Sequence, residues 1–501
     1  MEHKSFWIAS TPETQFPALK ASIEVEIAII GGGITGISTA LMLSEAGKSV
    51  AIFEGHRLAH GATGYTTAKV TSQHGLIYQD LIKGYGEERA LQYAQANETA
   101  IKKVQDIINR YQIDCDYETV SSYVYSTTKK GKEDLLKELE AAKKLGLPAS
   151  FEENLKLPFE AESALCFTNQ GMFHPRKYVL GMVEALTNRG VSIYEHTRIC
   201  EVLTEGGFEL KTSEGHSIKA KKVVLATKYP ILNKKGLYFT KLHIERSYAL
   251  AVISSKIKVN GLYISAEKPV RSLRPYKTGV DEWTILAGAN HPTGESKDTK
   301  ISYEELIAFA KEMDPHVKIA CSWSTQDCMT ADSIPYIGEH SEDLPGVFVA
   351  TGFSKWGMTH STVAAMILSD TILGINNPWK EVYNPGRSLS LGAIKELVTQ
   401  GIETAGDLVH KILPVKSASL DEIPKGEGQV IENEGRLTGV YKDETGKVHL
   451  VKPTCKHMGC RLTFNTAEKS WDCPCHGSRY TYEGQVIEAP AVLPLDLLER
   501  T

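Results

Sequence analysis

Two short segments near the C-terminus, both rich in cysteine and histidine, restrict this chain more than any other feature. One has the pattern Cys-x-His-x-x-Cys over residues 455–460, and the other is Cys-Pro-Cys-His-Gly-Ser over residues 473–478. Four of the nine cysteines therefore fall within 21 residues. In a cytosolic protein such clustering indicates metal or redox chemistry before it indicates a disulfide scaffold.

Two kinds of metal centre are compatible with this composition. Two cysteines and two histidines on two loops can hold a tetrahedral zinc ion. However, the Cys-x-His and Cys-x-Cys-His spacings are too tight for all six groups to share one metal. A [2Fe–2S] centre with two thiolates on one iron and two imidazoles on the other is satisfied when each loop supplies one cysteine and one histidine. The spacing therefore favours the iron–sulfur centre over zinc.

The two segments together resemble, residue for residue, the Rieske signature of cytochrome bc complexes. The resemblance implies that Cys455 and Cys473 bind one iron of a [2Fe–2S] cluster. It implies that His457 and His476 bind the other iron.

The same resemblance assigns roles to the neighbouring residues. Cys460 and Cys475 would form a disulfide that joins the two cluster loops, although a cytosolic protein does not normally keep a disulfide. Ser478 matches the position whose hydroxyl donates to a bridging sulfide, and Tyr480 matches the donor to a ligand thiolate. Such donors raise the potential of a cluster. Residues 489–491 stand where the family has a proline loop over the cluster.

A second constraint lies near the N-terminus, where a glycine-rich turn joins a predicted strand to a predicted helix. The apolar run Glu24–Ile30 ends in a GxGxxG pattern formed by Gly31, Gly33 and Gly36. These glycines let the backbone approach a pyrophosphate at a helix N-terminus. A second strand ends at Glu54, where a carboxylate is suited to bind a ribose diol. This βαβ unit predicts a dinucleotide site, for either FAD or NAD.

Further segments resemble the D-amino-acid-oxidase family of flavoproteins over about residues 20–375. They are the stretch 61–64, the second nucleotide strand 223–227, Trp323 with the motif 330–338, and the flavin-wrapping turn and helix 346–359. The resemblance implies FAD as the cofactor. The residues beside the flavin would include Thr63, Gly352, Gly357, Met358 and Thr359.

Two positions depart from that family. The stretch His60–Lys69 replaces the usual GxS-like turn, so no standard subfamily is indicated. Cys321, two residues before Trp323, stands where sarcosine oxidases place a cysteine that links covalently to flavin. Its neighbours do not match that subgroup, and we favour an ordinary half-buried cysteine.

Candidate substrate residues follow from the same family, whose members hold a substrate carboxylate with an arginine. Arg271 and Arg274 lie in the expected substrate strands, although a surface arginine pair is an equal alternative. Lys355 and His360, on the flavin-wrapping turn, are candidates for contact with the flavin ring. Their alternative role is that of solvated loop residues.

The predicted architecture is an α/β Rossmann-like FAD-binding domain with an interleaved α+β substrate domain, followed by a small all-β Rieske domain. We place the oxidoreductase domain at residues 1–380, with FAD-binding segments at about 20–110, 200–230 and 320–375. An amphipathic linker helix at 381–413 has one apolar face and predicts a connector packed against one of the domains, with a membrane-surface helix as the alternative. The Rieske domain is placed at 414–501.

Composition restricts the function classes. The net charge of −5 and the absence of a basic block argue against a nucleic-acid binder. No apolar run is long enough to span a membrane and no signal peptide is indicated, so we expect a cytoplasmic protein.

The two modules together predict a dehydrogenase. It would oxidise a small substrate, an amine or amino acid, with FAD and pass electrons singly through the cluster to an external acceptor. Electron flow from cluster to flavin and a non-enzymatic redox sensor or electron-transfer adaptor are the alternatives. An aromatic-ring oxygenase fits less well, because it needs a 2-His-1-carboxylate iron site and usually has its cluster domain at the N-terminus.

Overall fold

The computed structural model describes residues 3–278, 281–294, 296, 298–399, 415 and 417–499. The helices are α1 (Phe6–Ala9), α2 (Ile34–Glu45), α3 (Tyr78–Tyr85), α4 (Glu87–Tyr111), α5 (Lys129–Lys144), α6 (Pro175–Asn188), α7 (Tyr238–Lys241), α8 (Lys300–Met313), α9 (Gly357–Leu373) and α10 (Lys380–Tyr383). The strands are β1 (Ile23–Ile30), β2 (Val50–Phe53), β3 (Lys69–Val70), β4 (Glu118–Ser126), β5 (Ala149–Glu152), β6 (Ser163–Met172), β7 (Ser192–Tyr194), β8 (Ile199–Leu203), β9 (Phe208–Thr212), β10 (Ser217–Leu225), β11 (Leu242–Ile253), β12 (Leu262–Ser265), β13 (Arg271–Thr278), β14 (Asp281–Pro292), β15 (Lys318–Thr330), β16 (Tyr336–Glu339), β17 (Val347–Thr351), β18 (Gly428–Asn433), β19 (Arg436–Lys442), β20 (Val448–Val451), β21 (Thr463–Asn465), β22 (Ser470–Asp472), β23 (Arg479–Thr481) and β24 (Val486–Glu488).

The predicted nucleotide-binding unit is the centre of an eight-stranded sheet. Its main order is β16-β17-β10-β1-β2-β7, and β1 pairs in parallel with both β2 and β10. The last four residues of β1 and all of β2 are buried, because helices cover both faces of a parallel sheet. The turn between β1 and α2 therefore opens at the carboxyl edge of the sheet, where dinucleotides bind.

A nine-stranded sheet is built from chain segments that alternate with those of the first sheet. Its main order is β15-β11-β14-β13-β12-β4-β6-β3, with β5 on β6. Strands β3–β6 precede β7 and strands β11–β15 follow β10, so the two sheets are interleaved along the chain. This is the predicted α/β fold with an interleaved α+β part.

The C-terminal part is all-β among the described residues, apart from one short 3₁₀ turn at Leu420–Glu422. It contains a three-stranded sheet, β18-β19-β20, and a four-stranded sheet, β21-β22-β23-β24. Trp471 is fully buried in its small core, together with the two cluster cysteines, Cys455 and Cys473.

The linker helix differs from its prediction where it is described. Residues 381–383 belong to α10, residues 384–390 are not helical, and residues 391–399 are helical again, so the prediction of one continuous helix is wrong at 384–390; residues 400–413 lie outside the described residues. Leu391, Ile394 and Val398 are exposed, the first of them by 86%. The predicted packing of these three side chains is therefore not observed, and the packing of the rest of the helix stays a prediction. Among the described residues, no helix combines the length and apolarity needed to cross a bilayer.

The polar N-terminal lead-in also packs more tightly than its composition suggests. Trp7 in α1 is fully buried, and its indole Nε1 donates to the Thr66 carbonyl at 2.7 Å. Phe6 packs against Tyr276 and Trp283 of the nine-stranded sheet. The N-terminal segment thus packs against the strands that carry the candidate substrate residues.

Candidate functional site

The glycine-rich turn has the geometry that a pyrophosphate requires. A Cβ at Gly31 would lie 2.5 Å from the Ala226 carbonyl oxygen, and one at Gly36 would lie 2.0 Å from the Gly31 carbonyl oxygen. Gly33 begins α2 without a side-chain cap, and the Thr63 hydroxyl accepts from the Ile34 amide at 3.1 Å. The turn therefore leaves the positive end of α2 accessible to an anion.

Glu54 lies directly against this turn. Its carboxylate accepts from the amides of Gly32 and His56, each at 2.8 Å. Burial raises the pKa of Glu54, and these two backbone donors oppose that effect. Each carboxylate oxygen keeps a further lone pair, so Glu54 can accept from a ribose diol while it stays anchored.

The flavin-wrapping turn forms at the predicted position. Gly352 has φ +74°, and a Cβ there would meet the Thr330 side chain at 2.4 Å. Helix α9 starts at Gly357, and Met358 is buried. The Thr359 hydroxyl exchanges hydrogen bonds with the Thr71 backbone, so it is already engaged within the protein. The assignment of these residues to the flavin remains a prediction.

The four candidate substrate or flavin-ring residues lie in different surroundings. Arg271 is near Glu305 at 3.7 Å, and Lys355 pairs with Glu245 at 2.7 Å. His360 is fully buried, with its Nε2 3.0 Å from the Tyr93 hydroxyl, and burial lowers its pKa to about 3. The structure does not bring the four residues together in one contact group. Their roles remain predictions.

Arg274 is the candidate with unused hydrogen-bonding capacity. Its side chain is fully buried and donates to the carbonyls of Ala68 at 2.8 Å and Phe173 at 3.2 Å. The guanidinium lies over the Trp7 ring, 5.2 Å from its centroid. Its Nη2 is buried without a hydrogen-bond partner among the described residues.

Lys69 is a further candidate that sequence reasoning did not single out. Its Nζ donates to the Tyr263 carbonyl at 2.8 Å and to the Ser272 hydroxyl, and the side chain is buried. Burial, helped by the charge of Arg274, lowers the pKa of Lys69 to about 7. Among the described residues, Lys69 and Arg274 belong to no ion pair, and the charges of Glu118 and Asp116 act on Arg274 from beyond ion-pair distance. The signal available in the sequence was a lone lysine between an alanine and a valine. In the structure this lysine begins the two-residue strand β3.

The predicted cluster ligands come together on two neighbouring loops. Cys455 and Cys473 are both buried, and the interaction between their thiols lowers the pKa of Cys455. The rings of His457 and His476 lie edge to face with centroids 4.9 Å apart. His457 Nδ1 is buried without a hydrogen-bond partner, which suits a nitrogen that binds a metal. Two thiolates and two imidazoles therefore fit a [2Fe–2S] cluster.

The residues predicted to surround the cluster are also in place. Cys460 and Cys475 form a disulfide between the two loops. The Tyr480 hydroxyl lies 3.5 Å from Cys455 Sγ and accepts from the Lys456 amide at 3.0 Å. The Ser478 hydroxyl accepts from the Ala491 amide at 3.0 Å, which leaves its proton available to the cluster side.

A set of six charged side chains, here called the interface network, fixes the cluster domain to the rest of the chain. Arg246 Nη1 lies 3.2 Å from Asp472, and Arg479 lies 2.6 Å from Glu468 and 3.0 Å from Asp472. Glu488 pairs with Arg479 at 3.2 Å and with Lys228 at 2.6 Å. Three cations therefore balance three carboxylates. Sequence reasoning missed this network, because two of its cations, Lys228 and Arg246, lie more than 220 residues before its four members in the cluster domain.

Comparisons with known proteins agree with both halves of the structure. The family model of FAD dependent oxidoreductases matches residues 26–371, and that of the Rieske [2Fe-2S] domain matches residues 414–499. A putative Rieske 2Fe-2S iron-sulfur protein, YhfW of Bacillus subtilis (strain 168), is 36% identical over 99% of this chain and 97% of its own length. The zinc alternative is therefore wrong, and the prediction of FAD and a Rieske cluster is confirmed.

Two further matches each cover about three quarters of this chain. Gamma-glutamylputrescine oxidoreductase of Escherichia coli (strain K12) is 23% identical over 74% of this chain and 90% of its own. The crystal structure of glycine oxidase from Geobacillus kaustophilus has a TM-score of 0.60 and 20% identity, and the match covers 73% of this chain and all of that one. This second likeness supports the predicted fold.

Proposed function

The chain belongs to the family of FAD dependent oxidoreductases and ends in a Rieske [2Fe-2S] domain, and we propose that it is a dehydrogenase for a small amino acid or related amine. In this proposal the electrons leave singly through the cluster to an external acceptor. FAD supplies a two-electron acceptor and the cluster a one-electron carrier.

The docking of the cluster loops onto the oxidoreductase part is the observation that carries this proposal. Gln326 of β15 donates to the Gly477 carbonyl, within the second cluster loop, at 2.9 Å. The same amide donates to Glu488 of the interface network at 2.8 Å. Contacts of this kind hold the two redox modules in one arrangement, as an internal electron relay needs.

The buried cations Lys69 and Arg274 support a substrate that carries a carboxylate. Two neighbouring buried cations without a carboxylate partner are costly unless an anion binds them. A carboxylate would take the unused Nη2 of Arg274 and would favour the charged form of Lys69. Trp7 packs on the guanidinium and limits its movement. The names of the relatives, glycine oxidase and gamma-glutamylputrescine oxidoreductase, agree with such a substrate.

Anaerobic flavin bleaching tests the proposal directly. The full-length protein with both cofactors is mixed with a panel of amino acids and with the matching amines that lack the carboxylate. We expect a carboxylate-bearing member to bleach the flavin and to produce the EPR signal of a reduced cluster. Affinity should fall as the pH rises above about 7, because Lys69 then loses its proton.

A variant pair identifies the binding residues. Lys69→Met should raise the substrate Kd about 10- to 100-fold, the effect of one charge-assisted hydrogen bond. Lys132→Met, which removes a surface lysine paired with Glu153, should leave the Kd unchanged. If no panel member bleaches a flavin that dithionite does bleach, the dehydrogenase proposal fails and the redox-sensor or adaptor alternative replaces it. If an external reductant instead reduces the flavin before the cluster in an equilibrium titration, the flavin has the higher potential and electrons flow from cluster to flavin.

A further inference from the structure

The orientation of one amide, that of Asn233, determines where the proton of His457 lies. Asn233 is 4% exposed, and its Nδ2 donates to the carbonyls of Pro230 and Ile231, both at 3.2 Å. Carbonyl oxygens can only accept, so the nitrogen of this amide is fixed on that side. The oxygen, Oδ1, therefore faces His457 Nε2 at 2.8 Å and accepts its proton.

This hydrogen bond prepares His457 as a metal ligand. With the proton held at Nε2, the neutral imidazole carries its lone pair at Nδ1. That atom is the buried nitrogen without a hydrogen-bond partner. An acceptor on the outer nitrogen also fixes the ring and raises its basicity as a ligand.

The segment that carries Asn233 covers the histidine side of the cluster site. The Tyr229 ring lies 6.2 Å from the His457 ring, and the Phe239 ring lies 6.3 Å from the His476 ring. Both aromatic residues follow β10, the second nucleotide strand of the oxidoreductase part. The two imidazoles therefore face the FAD-binding part of the chain. An external partner cannot form a hydrogen bond with His457 Nε2 while Asn233 holds it.

We propose that Asn233 is a positioning residue of the oxidoreductase part that holds the cluster ligand His457 against the FAD-binding domain and lowers the reduction potential of the cluster. The inference deepens the proposed function, because it makes the histidine side the face of the cluster that exchanges electrons within the chain. A more basic imidazole stabilises the oxidised cluster, so the hydrogen bond acts against reduction.

Two variants with opposite expected signs test this role. Asn233→Leu keeps the volume but removes the acceptor, and the ratio of reduced to oxidised cluster at a fixed potential should rise about tenfold, which is ~59 mV for a one-electron couple. Asn233→Asp keeps an acceptor oxygen and adds a negative charge, so it should shift the potential in the other direction. Asn377→Leu is the matched control. Asn377 is also buried and bonded to its local turn, with no contact to the cluster loops.

The measurement is a mediated dithionite titration of the full-length protein with both cofactors, followed by EPR. Opposite shifts for the two Asn233 variants, with none for Asn377→Leu, support the inference. Equal cluster potentials in all proteins that carry the cluster overturn the inference. Shifts of the same sign in both Asn233 variants also overturn it, because a loss of packing would shift the potential whether or not an acceptor oxygen is present. The titration uses no substrate. Failure of the amine panel would therefore refute the dehydrogenase proposal without altering this result.

Discussion

Replacing Arg246 by methionine should release the cluster domain from the oxidoreductase part. The Arg246 side chain is 1% exposed and contacts both Glu468 and Asp472, two carboxylates of the interface network. Its removal leaves two cations against three carboxylates. Breaking a buried pair costs about 3–5 kcal/mol. Because Arg479 still contacts both carboxylates, we expect the lower end, about 3 kcal/mol of the free energy of unfolding.

Urea denaturation of the full-length protein measures this loss, with cluster absorbance and flavin fluorescence as separate reporters. Arg246→Met should lower the midpoint of the cluster transition and separate it from the flavin transition. Adding Glu468→Gln restores the charge balance, so the double variant should be more stable than Arg246→Met alone. Arg110→Met, which removes an exposed ion pair with Glu45, is the control and should match the unaltered protein. If Arg246→Met also matches it, the network does not hold the two parts together.

Three further outcomes are expected. Gly36→Ala should abolish FAD binding but keep the cluster, because the new Cβ would lie 2.0 Å from the Gly31 carbonyl oxygen; a normal ratio of flavin to iron in the purified variant would contradict this. Tyr480→Phe should lower the cluster potential in the same mediated titration, since it removes the hydroxyl 3.5 Å from Cys455 Sγ that favours the reduced cluster; a potential equal to or above that of the unaltered protein would refute the assignment. Acid should weaken the docking of the cluster domain. Burial raises the pKa of the Glu488 carboxyl, but the ion pairs of Glu488 outweigh burial and lower this pKa from 4.5 to about 2. The ionised Glu488 therefore contributes about 3 kcal/mol to the free energy of unfolding above pH 4.5, and this contribution is lost as the pH falls towards 2. Urea midpoints measured between pH 6 and pH 3 should decrease accordingly.

Some features of the site follow from sequence because the groups that form them are close along the chain. Gly31 and Gly36 belong to one strand–turn–helix unit, and the turn conformation excludes side chains whatever surrounds it. The cluster ligands occupy two six-residue loops whose spacing already matches the geometry of two irons. The cluster ligands could therefore be predicted without knowledge of the rest of the chain.

Other features depend on contacts between distant segments, which no local pattern describes. Lys69 and Arg274 are about 200 residues apart, and Arg246 lies more than 220 residues from its carboxylate partners. Asn233 belongs to an unremarkable loop until the fold places it 2.8 Å from His457. The linker helix shows the reverse case, since its apolar pattern predicts a packed face that is exposed over residues 391–399.

The amino-acid sequence by itself therefore determined the two cofactors, because nucleotide turns and cluster loops are local structures with fixed geometry. Only the tertiary structure decided how the two modules face each other, which cations are left without a carboxylate, and which nitrogen of His457 carries its proton. These properties arise from burial and from long-range pairing of charges. Both depend on the packed arrangement of the whole chain.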